Sequence, residues 1–235
     1  MVPFTLNSAV TVPSRGVPPA LTSAHWADDY NQVKRLGAVN STVRTAEQTE
    51  IGLFWTEQTS RQYARALRAL AAGRALNTSD TARLFAMMWT AFADSFIGCM
   101  NAKYHFSFWR PVTAIQNGGI DGNSVTVPDS TWMPLGTTPN HPEYPAAHGC
   151  VSGAVAGILK GYFGTPNVSF TVSRTVFSPA HVRTFNSTKD LEQEVGNARV
   201  YAGFHYHHSV VQGFVLGQHV AQHVLVNFFQ PTAGH

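Results

Sequence analysis

Lys103 and Arg110 stand seven residues apart in AKYHFSFWRPVTAI, a segment otherwise dominated by aromatic and aliphatic side chains. On a helix that separation is close to two turns, so the two cations would share a face. Permanent charges held among Tyr104, Phe106, Phe108 and Trp109 call for an anion between them. A second segment, HPEYPAAHGC, carries His141 and His148. Its prolines fix the approach to a turn, and the small residues after His148 read as a helix. The backbone N–H groups of Ala147 and His148 would then lie near a helix N-terminus, a natural place for an anion. A third segment, ARVYAGFHYHHSVVQG, supplies Arg199 and, six residues later, His205. Gly203 between them permits close backbone approach. Each feature has an ordinary alternative: a solvated cationic face, a structural histidine, or a surface cluster made by His205, His207 and His208. Together they give three permanent cations and two histidines in a nearly carboxylate-free setting. That is chemistry for a multiply charged oxyanion such as phosphate or vanadate. The cations would neutralise its oxygens, one histidine would attack or ligate, and the other would transfer protons.

The elements that must hold these residues read as helices. Thr22-Ser23 caps a helix to about Gly37, with Trp26, Tyr30, Val33 and Leu36 on one face. Thr45 and Gln48 form a capping-box pattern opening a helix through Trp55, continuous or broken before Tyr63, with Gly73 as a stop. Ser79-Asp80 opens a long helix that reaches Trp109, because Pro111 disfavours helical geometry at Arg110. Residues 117–144 form a long loop, and loops of that length in compact domains are often functional. Helices follow over about 147–163, from Ser187 to about Tyr201, and from near His207 to Phe229, with an extended segment from Phe170 to Val176. There is no convincing hairpin and no internal repeat. The expected fold class is all-α, a helical bundle: residues 1–21 an extended proline-containing arm, residues 22–235 a single oxyanion-binding domain.

Composition narrows the class. The chain has 235 residues, 44% hydrophobic but only 12% charged, with 11 histidines against 13 acidic residues. That excludes a disordered or coiled-coil chain. A net charge of +3 is too weak to argue for nucleic acid. Cys99 and Cys150 exclude a disulfide scaffold or a four-cysteine zinc site, and read as buried thiols in preference to one bridge. The opening lacks the basic and apolar regions of a signal peptide. The most apolar stretch, Leu84–Ala102, is interrupted by Asp94 and reads as a core helix rather than a membrane span.

The ordered strings DSFIGCMNAKYHFSFWRPVTAI, HPEYPAAHG and ARVYAGFHYHHSV resemble the vanadium-dependent haloperoxidase and type 2 phosphatidic acid phosphatase superfamily, in particular its soluble haloperoxidase branch. The resemblance covers roughly residues 17–229. Members of that branch are usually longer, which would make this chain the carboxyl-terminal, site-bearing portion or a shortened relative. The resemblance implies that Lys103, Arg110, Ala147 and Arg199 bind the oxyanion. It implies that His205 coordinates vanadium, or attacks phosphate, and that His148 is the acid–base group. His141 falls where the family varies a residue that tunes halide oxidation. Ala146 and Ala147 stand where the family commonly has Ser and Gly. Ser209 stands where an Asp often orients the ligand histidine. The implied cofactor is vanadate, the implied partners are hydrogen peroxide, a halide and a small organic acceptor, and secretion and homo-oligomerisation are compatible with the family.

The leading expectation is therefore a vanadate-dependent haloperoxidase. The alternatives are a phosphomonoester hydrolase working through a phosphohistidine at His205, and a catalytically weakened helical remnant used for assembly. A metal-binding protein built on His219 and His223, four apart on one helix, is a further class, although no Cys or carboxylate accompanies them.

Overall fold

The computed structural model describes residues 1–8, 16–175 and 181–230. Its helices begin where short polar side chains satisfy the first free N–H groups. Ser23 accepts from Trp26 N and opens α1 (Ala24–Gly37). Thr45 and Gln48 form a reciprocal capping box at α2 (Ala46–Phe54), which breaks before α3 (Thr59–Gly73). Asn77, not Ser79, caps the long α4 (Thr78–Phe106) by accepting from Asp80 N at 2.8 Å. After α5 (Pro111–Gln116) and a 3-10 turn at Gly118–Ile120 come α6 (Ala147–Phe163), strands β1 (Phe170–Arg174) and β2 (His181–Phe185), α7 (Thr188–Tyr201) and α8 (His207–Asn227). The fold is all-α apart from this small hairpin.

Two expectations are corrected. The helix carrying Lys103 does not reach Trp109. It stops at Phe106, where Ser107 adopts a left-handed conformation (φ 45°) and returns its N–H to Lys103 O. Pro111 then occupies the first turn of α5 with Arg110 as its N-cap, so the two cations sit on either side of a corner. The second correction is the hairpin. β1 and β2 pair antiparallel, with Phe170 opposite Phe185 and Val172 opposite Arg183. No two-residue Asn-Gly or Gly-Asn signal marks that connection in the sequence. Val176, the expected end of the extended segment, lies outside the described residues.

The amino-terminal residues strap onto α4. Phe4 N and Thr5 N donate to the carboxylate of Asp94 at 2.6 and 2.8 Å, which explains how an acidic side chain lies fully buried in an apolar helix. The long loop after α5 is fastened by side chains of α1. Trp26 Nε1 donates to Asp121, Tyr30 Oη to Val127 O, and Lys34 O accepts from Trp132 Nε1.

The centre of the molecule is the α6–α8 pair. A Cβ on Gly153 would meet Phe214 O at 2.5 Å, and one on Gly217 would meet Cys150 O at 2.0 Å. The backbones touch, which only glycine allows. Gly149 faces Val210 and Gly213, Gly157 faces Gln218 and Ala221, and Gly161 faces Leu225. The register rises together on both helices, so they run parallel and begin at the same end. Ala146 N donates to Ser209 O across that end at 3.0 Å. Around the pair pack Leu84, Met88, Val155, Ile158, Leu216 and Val220.

Candidate oxyanion site

Both N-termini of the parallel pair point at one place, and the residues of the three motifs gather there. Lys103, at the last turn of α4, is fully buried, and its Nζ donates to Pro142 O (2.7 Å) and Glu143 O (2.8 Å). Arg110 reaches the same segment from the other side of the corner. Its Nε donates to His141 O at 3.0 Å, and its Nη1 donates to Phe204 O at 2.8 Å and to His205 Nε2 at 3.0 Å. Its Nη2 donates to His141 Nδ1 at 3.0 Å. Arg199, on the last turn of α7, is 1% exposed. Its Nη1 donates to Trp55 O at 2.7 Å, and its guanidinium lies 4.8 Å from the centre of the Phe204 ring. Gly203, at φ +77°, makes the turn between α7 and α8; a Cβ there would strike Gly37 O.

None of these three cations forms an ion pair with a carboxylate among the described residues. Burial lowers the Lys103 ammonium to about 8, the Arg110 guanidinium to about 10 and the Arg199 guanidinium to about 9. Positive charge is thus held in low dielectric with mostly carbonyl partners, an arrangement completed by an anion.

The histidines differ. His205 is buried, with Nδ1 2.8 Å from Glu143 Oε1. A guanidinium has no acceptor, so His205 Nε2, facing Arg110, carries the lone pair and Nδ1 the proton. His141 Nδ1 faces both a donor, Arg110 Nη2 at 3.0 Å, and an acceptor, Pro142 O at 3.2 Å. His148 occupies the first turn of α6, and its Nε2 is buried without a partner. Burial, and then the neighbouring cations, hold His148 and His205 well below the usual histidine range. His141, half-buried, is lowered to about 4 by the same two effects.

Two clefts meet at His148, Arg199 and Pro139. One, of about 380 Å³, has an apolar wall of Phe92, Phe96, Met100 and Val151, and also touches Ala147, His141 and His205. The other, of about 510 Å³, is lined by Leu53, Thr137, Arg174 and Phe204. A larger surface cleft of about 560 Å³ beside Lys34 and Asp129 touches none of the motif residues.

The setting is nearly carboxylate-free, as the sequence suggested, but holds one acidic residue at its centre. Glu143 is fully buried at its heart, its carboxyl raised to about 7 by burial against the opposing pull of Lys103 and Arg110. The signal for it was an acidic residue inside the proline-fixed turn HPEYPAAH, in a chain with few acids. The partner of His205 Nδ1 is this glutamate rather than Ser209. The Ser209 hydroxyl lies close enough to the carboxyl to favour its charged form, yet neither Ser209 Oγ nor Glu143 Oε2 has a partner of good hydrogen-bond geometry. His207 turns out to solvent, and His208 stacks on Tyr144, so neither joins His205. His219 and His223 gain no third ligand among the described residues, and His223 Nε2 lies 3.0 Å from Thr5 O.

This mainly helical fold matches a vanadium haloperoxidase helical domain. Residues 83–233 match the VCPO second helical-bundle domain, and the chain belongs to that family. It is 29% identical over 180 residues to the vanadium chloroperoxidase of Curvularia inaequalis, an alignment covering 62% of this chain and 29% of that protein. Among solved structures it resembles a bacterial vanadium-dependent iodoperoxidase, with a TM-score of 0.78 and 26% identity, covering 94% of this chain and 54% of that one. It shares its fold with a bacterial vanadium-dependent chloroperoxidase in its apo form (TM-score 0.75, 17% identity, 94% of this chain and 53% of that one). The chain thus spans about half the length of these structures and less than a third of the curated relative.

Proposed function

We propose that the site binds vanadate and catalyses peroxide-dependent oxidation of a halide. The observation that carries this reading is the set of buried cations, Lys103, Arg110 and Arg199, without paired carboxylates. The unpartnered Arg199 Nε and His148 Nε2 fit the same group, because each is a polar atom that an oxyanion would satisfy. Lys103, Arg110, Arg199 and the first-turn N–H groups of Ala147 and His148 would hold the oxygens, and His205 Nε2 would be the ligand to vanadium. Bound there, vanadate supplies a centre at which hydrogen peroxide is activated toward halide. His148, neutral through burial, takes and returns protons beside the anion. His141 borders the apolar cleft, through which a halide or a small organic acceptor reaches the site. Among the described residues no helix is long and apolar enough to cross a membrane. The test is a titration of the purified protein with orthovanadate, followed by a peroxide-dependent bromination assay. Failure to bind vanadate, or binding without halide oxidation, would refute the reading.

A second reading, phosphomonoester hydrolysis through a phosphohistidine at His205, is favoured by one observation. Ser209 alone would orient that nucleophile weakly, but the Glu143 carboxylate holds its Nδ1 at 2.8 Å. A phosphatase assay on an aryl phosphate separates the two readings.

A further inference from the structure

Glu143, inside the second motif, bonds to both of the others. Its N–H donates to Phe108 O (2.9 Å), beside the Arg110 corner, and its carbonyl accepts from Lys103. Its carboxylate accepts from His205 Nδ1 and, through the same Oε1, from Tyr206 N at 3.2 Å. The backbone contacts serve the corner. The side chain serves the start of α8, and a fully buried carboxylate is too costly to be kept only for packing.

We propose that Glu143 is the positioning residue of His205: its carboxylate fixes the proton on Nδ1 and turns the Nε2 lone pair toward the cation cluster, where an oxyanion is taken up. A histidine ring has two faces it can present and two tautomers. Only one combination leaves an acceptor nitrogen beside Arg110 Nη1. Without an acceptor at Nδ1 the ring is free to flip, or to carry its proton on Nε2, which would then oppose a guanidinium donor and leave no lone pair there for a ligand bond. Outer partners of this kind typically contribute about 10–100-fold in affinity for what the histidine binds. The competing role is a plain counterweight, one negative charge offsetting three positive ones. The two roles predict opposite signs. Removing a counterweight makes the site more positive and tightens anion binding, whereas removing a positioning group loosens it.

The inference rests on the oxyanion reading for its binding arm only. The first arm is nitrogen-15 NMR of histidine-labelled, ligand-free protein, with His205 assigned by its disappearance in His205→Ala. A His205 ring protonated on Nδ1, with an acceptor-type Nε2, is expected; protonation on Nε2 overturns the proposal. The second arm is calorimetric titration with orthovanadate and with inorganic phosphate. Glu143→Ala is expected to weaken orthovanadate, which the Nε2 lone pair would ligate, about 10–100-fold. Glu143→Gln, whose amide oxygen can accept the same two N–H bonds, is expected to stay close to wild type and to keep the Nδ1 tautomer. Tighter binding by both variants makes Glu143 a counterweight and overturns the proposal. Should Glu143→Ala fail to fold, the tautomers of wild type and Glu143→Gln decide, a shift to Nε2 in the latter being fatal. If wild type binds neither anion, the oxyanion reading fails, while the NMR arm still decides the role of Glu143.

Discussion

His148 lies in the first turn of α6 and His205 two residues before the start of α8, and the two are held in opposite ways. At α8 every polar ring atom of His205 is engaged, Nδ1 by a carboxylate and Nε2 by a guanidinium. At α6 the Nε2 of His148 is shut away from water with nothing to bond. A ring engaged at both nitrogens is fixed in direction and tautomer. A ring with an orphaned nitrogen in low dielectric stays neutral. Two histidines near the adjacent starts of parallel helices thus differ in what lies behind them, and the separate roles proposed for them rest on that difference.

The largest effect should come from abolishing the geometry common to both. In Gly217→Val the new side chain has no room against Cys150 O, and a loss of at least about 3 kcal/mol of stability is expected from overpacking a backbone contact. A thermal melt reads it, and an unchanged midpoint would mean the seam is not what sets the spacing. Next is the pair of histidine variants. His205→Ala should abolish vanadate uptake. His148→Ala should still bind vanadate but turn over about 10²–10⁴ more slowly, the usual cost of a proton-transfer group. Paired vanadate titrations and bromination rates test this; binding lost in His148→Ala and kept in His205→Ala would exchange the roles.

A smaller effect is expected at the cation shared by both clefts. Arg199→Ala should weaken vanadate and phosphate by about 1.5–3 kcal/mol, the range for charge-assisted bonds. Arg68, exposed on α3, is the control. Equal affinities for Arg199→Ala and Arg68→Ala would remove Arg199 from the site. The smallest effect concerns pH. The His141 imidazole titrates at about 4 in the folded protein, against about 6.5 in an unfolded chain. Between those values the unfolded chain binds more protons, so His141 makes stability fall as pH drops from about 6.5 toward 4. Urea denaturation of His141→Phe should show a shallower loss across that window than wild type. Parallel curves would argue against a buried neutral ring.

The parts of the molecule that were legible in the sequence are those where local chemistry decides. Ser23, Thr45 with Gln48, and Ser187 cap the helices they were expected to cap. The small residues after His148 are the face that meets α8, although nothing in the sequence tells that the two helices run parallel. The corner at Ser107 has no signal in the sequence, because a serine seldom takes a left-handed conformation and Pro111 is the visible helix breaker nearby. Lys103 and Arg110 nevertheless meet, since the 141–143 segment gives both of them carbonyls. Glu143 was hidden because its partners come from residues 103, 108, 205 and 206, pairings that no local pattern encodes.

The glycine seam has one more consequence. Where side chains separate two helices, warming lets them rattle and the gap widen by degrees. Here main chain lies on main chain, with no soft layer between His148 and His205 to yield first. The spacing of the two rings is therefore an all-or-none property, which should hold up to the melting transition and be lost with it rather than loosening beforehand.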